Sequence, residues 1–210
     1  MAKISVIGCG YLGAVHAAAM ASLGHDVVGI DVDERKIDSL RRAEAPFFEP
    51  GLEDLLARAQ TSDNLAFTTD VAEAAGADVH FICVGTPQRK GEFAADMTYV
   101  DAAVAALLPH LNDTDLVVGK STVPVGTAAR LAEQVTGTGA ALAWNPEFLR
   151  EGHAVEDTVS PDRLIYGVPE GEAGARATEV LDDVYASIVD SGTPRLVMDY
   201  ATAELVLSLI

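Results

Sequence analysis

Residues 4–31 read ISVIGCGYLGAVHAAAMASLGHDVVGID, and they predict a strand, a glycine turn, a helix and a second strand in succession. The branched apolar run at 4–7 breaks at Gly8-Cys9-Gly10, an alanine-rich amphipathic pattern starts at Tyr11, and Gly24 ends it before the run at 26–30. Gly8, Gly10 and Gly13 have the G-x-G-x-x-G spacing. Gly8 allows a tight turn out of the strand, Gly10 lets a pyrophosphate approach the backbone, and Gly13 lets the helix lie close to the sheet. Free N–H groups at the helix start, backed by a macrodipole worth about half a positive charge, suit an anion. Asp31 follows about 20 residues later, where a carboxylate can accept both hydroxyls of an adenosine ribose. A 2′-phosphate would meet that negative charge, and Val32-Asp33 supplies no arginine, so the pattern favours NAD over NADP. The motif alone also admits a glycine-rich turn of purely structural use.

The 210 residues suffice for one large or two small domains, burying roughly 70% of the unfolded surface. With 49% apolar but only 6% aromatic residues, the composition is that of a globular α/β protein. Asp and Glu outnumber Lys and Arg by 32 to 14, a formal charge of −18, which argues against nucleic acid or anionic membrane as a partner. A well-solvated surface accounts for the acid; adaptation to a salty cytoplasm is the sharper alternative. No apolar stretch reaches the roughly 18 residues of a membrane span and the N-terminal run is too short for a signal peptide, so a cytoplasmic protein is expected. Cys9 and Cys83 lack metal-ligand spacing and read as small buried hydrophobes, and the scattered histidines suggest no metal site.

Further along, helices are expected at 33–42, 52–60, 99–111 and 172–188, a helical turn at 71–75, and strands at 65–67, 78–84, 116–120, 140–144, 163–168 and 195–198, with a last helix beginning at Tyr200. Lys36 can reach a phosphate or ribose, or can be a solvated helix lysine. Gly85-Thr86-Pro87 follows the strand at 78–84, and residues 88–92 read as a lid loop. Ligands of open α/β sheets lie beyond the carboxyl ends of the strands, so this loop either faces the same crevice as the glycine turn or is a plain connection. Ser121 and Thr122 end the next strand, where helix capping alone would explain them. Pro124 suits the first turn of the helix that carries Leu131 and Val135. Glu147 and Glu151, four apart on an expected helical turn, present both carboxylates one way, for proton transfer or as ordinary surface acids.

Three stretches, 46–52 (PFFEPGL), 120–127 (KSTVPVGT) and 145–152 (NPEFLREG), in this order after G-C-G-Y-L-G, resemble the UDP-glucose/GDP-mannose dehydrogenase family over nearly the whole chain. The resemblance implies oxidation of a nucleotide-sugar's primary alcohol to a carboxylate with two NAD in turn. A cysteine in a second domain captures the aldehyde, and water releases the acid. UDP-glucose, giving UDP-glucuronate, is the substrate the resemblance favours; GDP-mannose or a UDP-N-acetylhexosamine is the alternative. By position, Gly8, Gly10, Tyr11, Leu12 and Gly13 become the pyrophosphate turn, Asp31 the ribose acceptor and Lys36 a further NAD contact. Val84, Thr86, Pro87, Ser121 and Thr122 line the dinucleotide. Thr122 is similar to a hydroxyl holding the catalytic water, Glu147 to an acid/base, and Glu151 to an acid near both nicotinamide and substrate. Phe148, Leu149 and Arg150, with these two acids, correspond to nucleotide-sugar contacts.

The resemblance weakens at the end of the chain. Ala203-Glu204-Leu205-Val206 matches the family's central helix, but Leu207 stands where a lysine is expected and no nucleophilic cysteine follows. The expectation is therefore an NAD-binding, Rossmann-like domain over 1–199, with the start of a truncated central helix at 200–210. Its fold would be α/β, a doubly wound, mainly parallel sheet with helices on both faces. Such a piece would be an NAD-binding module inactive on its own, the full-length form a homodimer, and the apolar end from Leu205 onward a patch inviting association.

Overall fold

Near-continuous apolar runs let the central strands bury both faces, as parallel strands between helices must. The computed structural model of the chain describes residues 1–89, 91 and 94–208. Lys90 and Glu92 of the expected lid loop, and Leu209 and Ile210 of the apolar end, lie outside the described residues. The strands are β1 (Lys3–Ile7), β2 (Asp26–Ile30), β3 (Leu65–Thr68), β4 (Val79–Ile82), β5 (Leu116–Gly119), β6 (Ala141–Trp144), β7 (Leu164–Gly167) and β8 (Arg195–Met198). They form one sheet in the order β3-β2-β1-β4-β5-β6-β7-β8. The first six are mutually parallel; β7 joins β6 antiparallel through Trp144 and Gly167, and β8 runs parallel to β7. Strand order reverses between β1 and β4, which opens a crevice at their carboxyl ends.

The helices are α1 (Tyr11–Ser22), α2 (Glu34–Arg41), α3 (Leu52–Thr61), α4 (Thr98–Leu107), α5 (Thr127–Val135), α6 (Ala154–Val159), α7 (Glu172–Val184), α8 (Ala186–Asp190) and α9 (Tyr200–Ser208). One face of the sheet packs against α1, α2, α3, α6, α7 and α8. Opposite lie α4 and α5, with Tyr200 of α9 bonding through its hydroxyl to the Leu142 carbonyl at 2.6 Å. No helix among the described residues is long and apolar enough to cross a membrane.

Several elements depart from the sequence pattern for identifiable reasons. Helix α1 is not amphipathic: every residue from Gly13 to Ala21 is buried, because its small side chains let the sheet, α3 and α6 enclose it. Strand β4 ends at Ile82, and Val84 instead leaves the sheet to lie over Gly8. Pro124 precedes α5 rather than opening it; its carbonyl accepts from the Thr127 N–H and hydroxyl, while Gly126 at φ +95° starts the helix. The expected helix over 172–188 breaks at Tyr185, whose buried hydroxyl donates to Asn145 Oδ1 at 2.8 Å. Cys9 and Cys83 are both buried, and burial pushes the Cys83 thiol up to about 12.

Polar side chains inside this core carry a pH dependence. His80 meets the Ser5 hydroxyl at 2.8 Å and lies 3.3 Å from Asp115 Oδ2, while His16 sits edge-on to Phe81. Burial lowers both imidazoles below their ordinary value, outweighing the Asp115 charge at His80. The unfolded chain therefore takes up protons first as pH falls through about 6.5, and stability falls with it. Urea unfolding is expected to give a constant midpoint from pH 8 to 7 and a decline toward pH 5, with a slope of up to about 1.4 kcal/mol per pH unit for each histidine.

Candidate functional site

The carboxyl ends of β1, β2 and β4 open on a cavity of about 600 Å³ whose walls include Gly8, Gly10, Asp31, Lys36, Val84 and Pro87. The three glycines differ in what a side chain would meet. Gly8 has φ +93°, and a Cβ there would lie 2.9 Å from Val84 Cα. At Gly13 a Cβ would come within 1.8 Å of the Gly8 carbonyl oxygen, so only glycine lets α1 start against the turn. A Cβ at Gly10 would have nothing within 4 Å and would stand in open space at the cavity wall. No side chain caps the N-terminus of α1. An anion fits there.

Asp31 is buried at the end of β2 and fastens the turn. Its Oδ2 accepts from the Cys9 N–H at 2.8 Å and from the Lys36 ammonium at 2.7 Å, and Oδ1 accepts from the Asp33 N–H at 3.0 Å. A carboxylate has about four lone-pair sites. Holding two ribose hydroxyls therefore requires Lys36 to move aside. The loops after β4 and β5 are tied together: Ser121 donates to the Val84 carbonyl at 2.6 Å, and Thr86 to the Thr122 carbonyl at 2.7 Å. The Ser121 hydroxyl is thus spent on a carbonyl rather than on a helix cap.

A second cavity, of about 260 Å³, lies on the α1 side of the sheet and is lined by Leu12, Lys120, Glu147, Phe148, Leu149 and Arg150 among others. Lys120 is buried and donates to Asn145 Oδ1 at 2.9 Å, about 6 Å from the Phe81 and Tyr185 ring centres. Burial lowers its ammonium below the ordinary lysine value. The stretch at 145–152 is irregular and not the expected helical turn, because Pro146 resists helix and Glu147 Oε2 takes the Leu149 N–H at 2.6 Å. Glu147 lines the cavity; Glu151 sits exposed at the far end of the loop, adding to the negative field at the Tyr11 phenol. Arg150 is held by Asp157.

Residues 2–189 match the UDP-glucose/GDP-mannose dehydrogenase family, NAD binding domain. The chain belongs to this family. It is 44% identical over 209 residues to the UDP-glucose 6-dehydrogenase of Rhizobium meliloti (strain 1021), a match covering 97% of this chain and 47% of that protein. A UDP-glucose dehydrogenase structure from Pyrobaculum islandicum superposes with a TM-score of 0.88 at 44% identity, covering 98% of this chain and 48% of the other. A GDP-mannose dehydrogenase ternary complex from Pseudomonas aeruginosa gives 0.89 at 30% identity, with 98% and 48% coverage. The chain thus spans about half the length of these relatives.

Within this NAD-binding domain of the family, the residues singled out from sequence fall into two groups. Gly8, Gly10, Asp31, Lys36, Val84 and Pro87 line the larger cavity, and Leu12, Glu147, Phe148, Leu149 and Arg150 the smaller. Thr86, Ser121 and Thr122 brace the loops above, Tyr11 opens α1, and Glu151 sits exposed in its loop, where its charge adds to the field at the Tyr11 phenol. Sequence reasoning missed Glu49, Lys120, Asn145 and Tyr185, although an acid between two prolines and a lysine closing an apolar strand are both visible signals. The glycine geometry separates fold from ligand. Gly13→Ala is expected to cost about 2 kcal/mol or more in urea unfolding, whereas Gly10→Ala stays within about 0.5 kcal/mol.

Proposed function

We propose that the chain is the NAD-binding half of an enzyme oxidising UDP-glucose to UDP-glucuronate with two NAD. The carrying observation is Asp31, a buried carboxylate at the end of β2, standing in the same cavity wall as the open Gly10 position. That pairing suits a pyrophosphate and an unphosphorylated ribose. Bound there, NAD supplies a hydride acceptor. The chain's own residues bind and orient: Gly8 and Gly10 and the α1 N-terminus face the phosphates, Asp31 and Lys36 the ribose, and Val84, Thr86, Pro87, Ser121 and Thr122 the rest of the dinucleotide. Thr122 positions a water, Glu147 exchanges protons at the smaller cavity, Glu151 stands between nicotinamide and substrate, and Phe148, Leu149 and Arg150 hold the nucleotide-sugar.

UDP-glucose is preferred to GDP-mannose because the named UDP-glucose dehydrogenases reach 44% identity against 30% for the GDP-mannose enzyme. In this reading 1–199 form the NAD-binding domain and α9 begins the central helix. The domain alone binds cofactor without completing oxidation, since both cysteines of the chain are buried. Homodimer formation in the cytoplasm belongs to the same reading, supported by the exposed Leu196, Val197 and Leu205 on β8 and α9.

Calorimetric titration tests it. Saturable NAD binding is expected, with NADP far weaker and Asp31→Ala lowering NAD affinity about ten- to hundredfold through lost charged hydrogen bonds. UDP-glucose added afterwards is expected to bind weakly. A folded chain that binds no NAD, or that binds NADP equally well, would overturn the reading.

A further inference from the structure

Glu49 belongs to the 46–52 stretch, to which neither the cofactor nor the substrate reading gives a role. Its carboxylate is buried. Oε2 accepts from the Tyr11 hydroxyl at 2.5 Å and the Gly152 N–H at 3.0 Å, and Oε1 accepts from the Ala154 N–H at 2.9 Å. No cation lies within 4 Å among the described residues, so three neutral donors hold this charge. Tyr11, its ring 4.9 Å from Phe47, is the first residue of α1 and follows Gly10; Gly152 follows Glu151. Leu52, fully buried one turn on, anchors the Glu49 backbone, whose carbonyl takes the Leu52 N–H.

One carboxylate therefore joins the glycine turn to the loop that carries both candidate acids. We infer that Glu49 is a positioning residue: it clamps the 147–153 loop onto the α1 entrance through Tyr11 and so sets the place of Glu151 relative to the dinucleotide's nicotinamide end. This rests on the reading of the crevice as an NAD site. Burial and the Glu49 hydrogen bond together push the Tyr11 phenol up to about 12, keeping it a donor at neutral pH. Asp31, which anchors the adenosine end, shares no hydrogen bond with this clamp, so the two ends respond separately.

The test uses the full chain carrying Glu49→Gln, with Tyr11→Phe as a second variant that removes one of the three bonds. Amide hydrogen exchange at Gly152 and Ala154 reads the clamp without ligand; calorimetry with NAD and with ADP-ribose, which lacks only nicotinamide, reads its effect. Glu49→Gln is expected to speed exchange at both amides and weaken NAD about five- to tenfold, while ADP-ribose stays within about twofold. Tyr11→Phe gives a smaller change in the same direction and carries the test if Glu49→Gln does not fold. Equal losses for NAD and ADP-ribose, or unchanged exchange, overturn the inference. Wild-type chain that binds neither ligand refutes the NAD reading itself, and a clamp still opened by Glu49→Gln would then be a structural fastening only.

Discussion

Everything in the crevice depends on the closeness of α1 to the strand before it. The helix begins so near the Gly8 carbonyl that a single methyl group at Gly13 could not be accommodated, and Val84 closes over Gly8 from the neighbouring loop. That approach places the positive end of α1 at the carboxyl edge of the sheet, where the strand order reverses. The close approach is matched by the small residues Gly13, Ala14, Ala17, Ala18, Ala19 and Ala21 of α1, all of them buried.

Buried carboxylates hold the surrounding loops to this frame. Asp31 accepts from the N–H groups of Cys9 and Asp33, Glu49 from those of Gly152 and Ala154, and Glu204 from those of Gly126 and Ala128. Glu49 and Glu204 repeat one device, a carboxylate bridging two backbone donors two residues apart. Charge-assisted bonds of this kind are among the stronger ones available, and they compensate for removing the acid from water. In a chain with 32 acidic residues, these three serve as fasteners of the glycine turn, the acidic loop and the start of α5 rather than as solvated surface.

The fold was legible because its signals are local. The glycine spacing, the acid at Asp31 and the short apolar runs of β1 to β6 each declare themselves within a few residues, and the mainly parallel sheet follows from them. The order of segments 46–52, 120–127 and 145–152 likewise pointed to the family. What escaped was settled by distant partners. Glu147 and Glu151 look like neighbours on a helix until Pro146 and the Leu149 N–H decide the backbone, and Tyr185 breaks a helix near the Asn145 side chain, 40 residues away in sequence. Lys120 and Glu49 were visible as residue types, but their surroundings come from β6, α7 and a loop far along the chain.

The sequence separation across the Glu49 clamp has a consequence for how the protein is made. Glu49 and Ala154 are 105 residues apart, so at about 5–20 residues per second a ribosome needs roughly 5–20 s to supply the carboxylate with its last donor. During that interval the nascent chain carries the glycine turn, β2 and α3 but not the loop that closes over them, and the pairing of β1 with β4 is itself a long-range event. The residues lining the larger cavity all precede Ala154 in the chain, so the adenosine end can be assembled first and the Glu49 clamp closes last. Until then the apolar side of α1 that α6 will cover stays open to chaperones and to other unfinished chains.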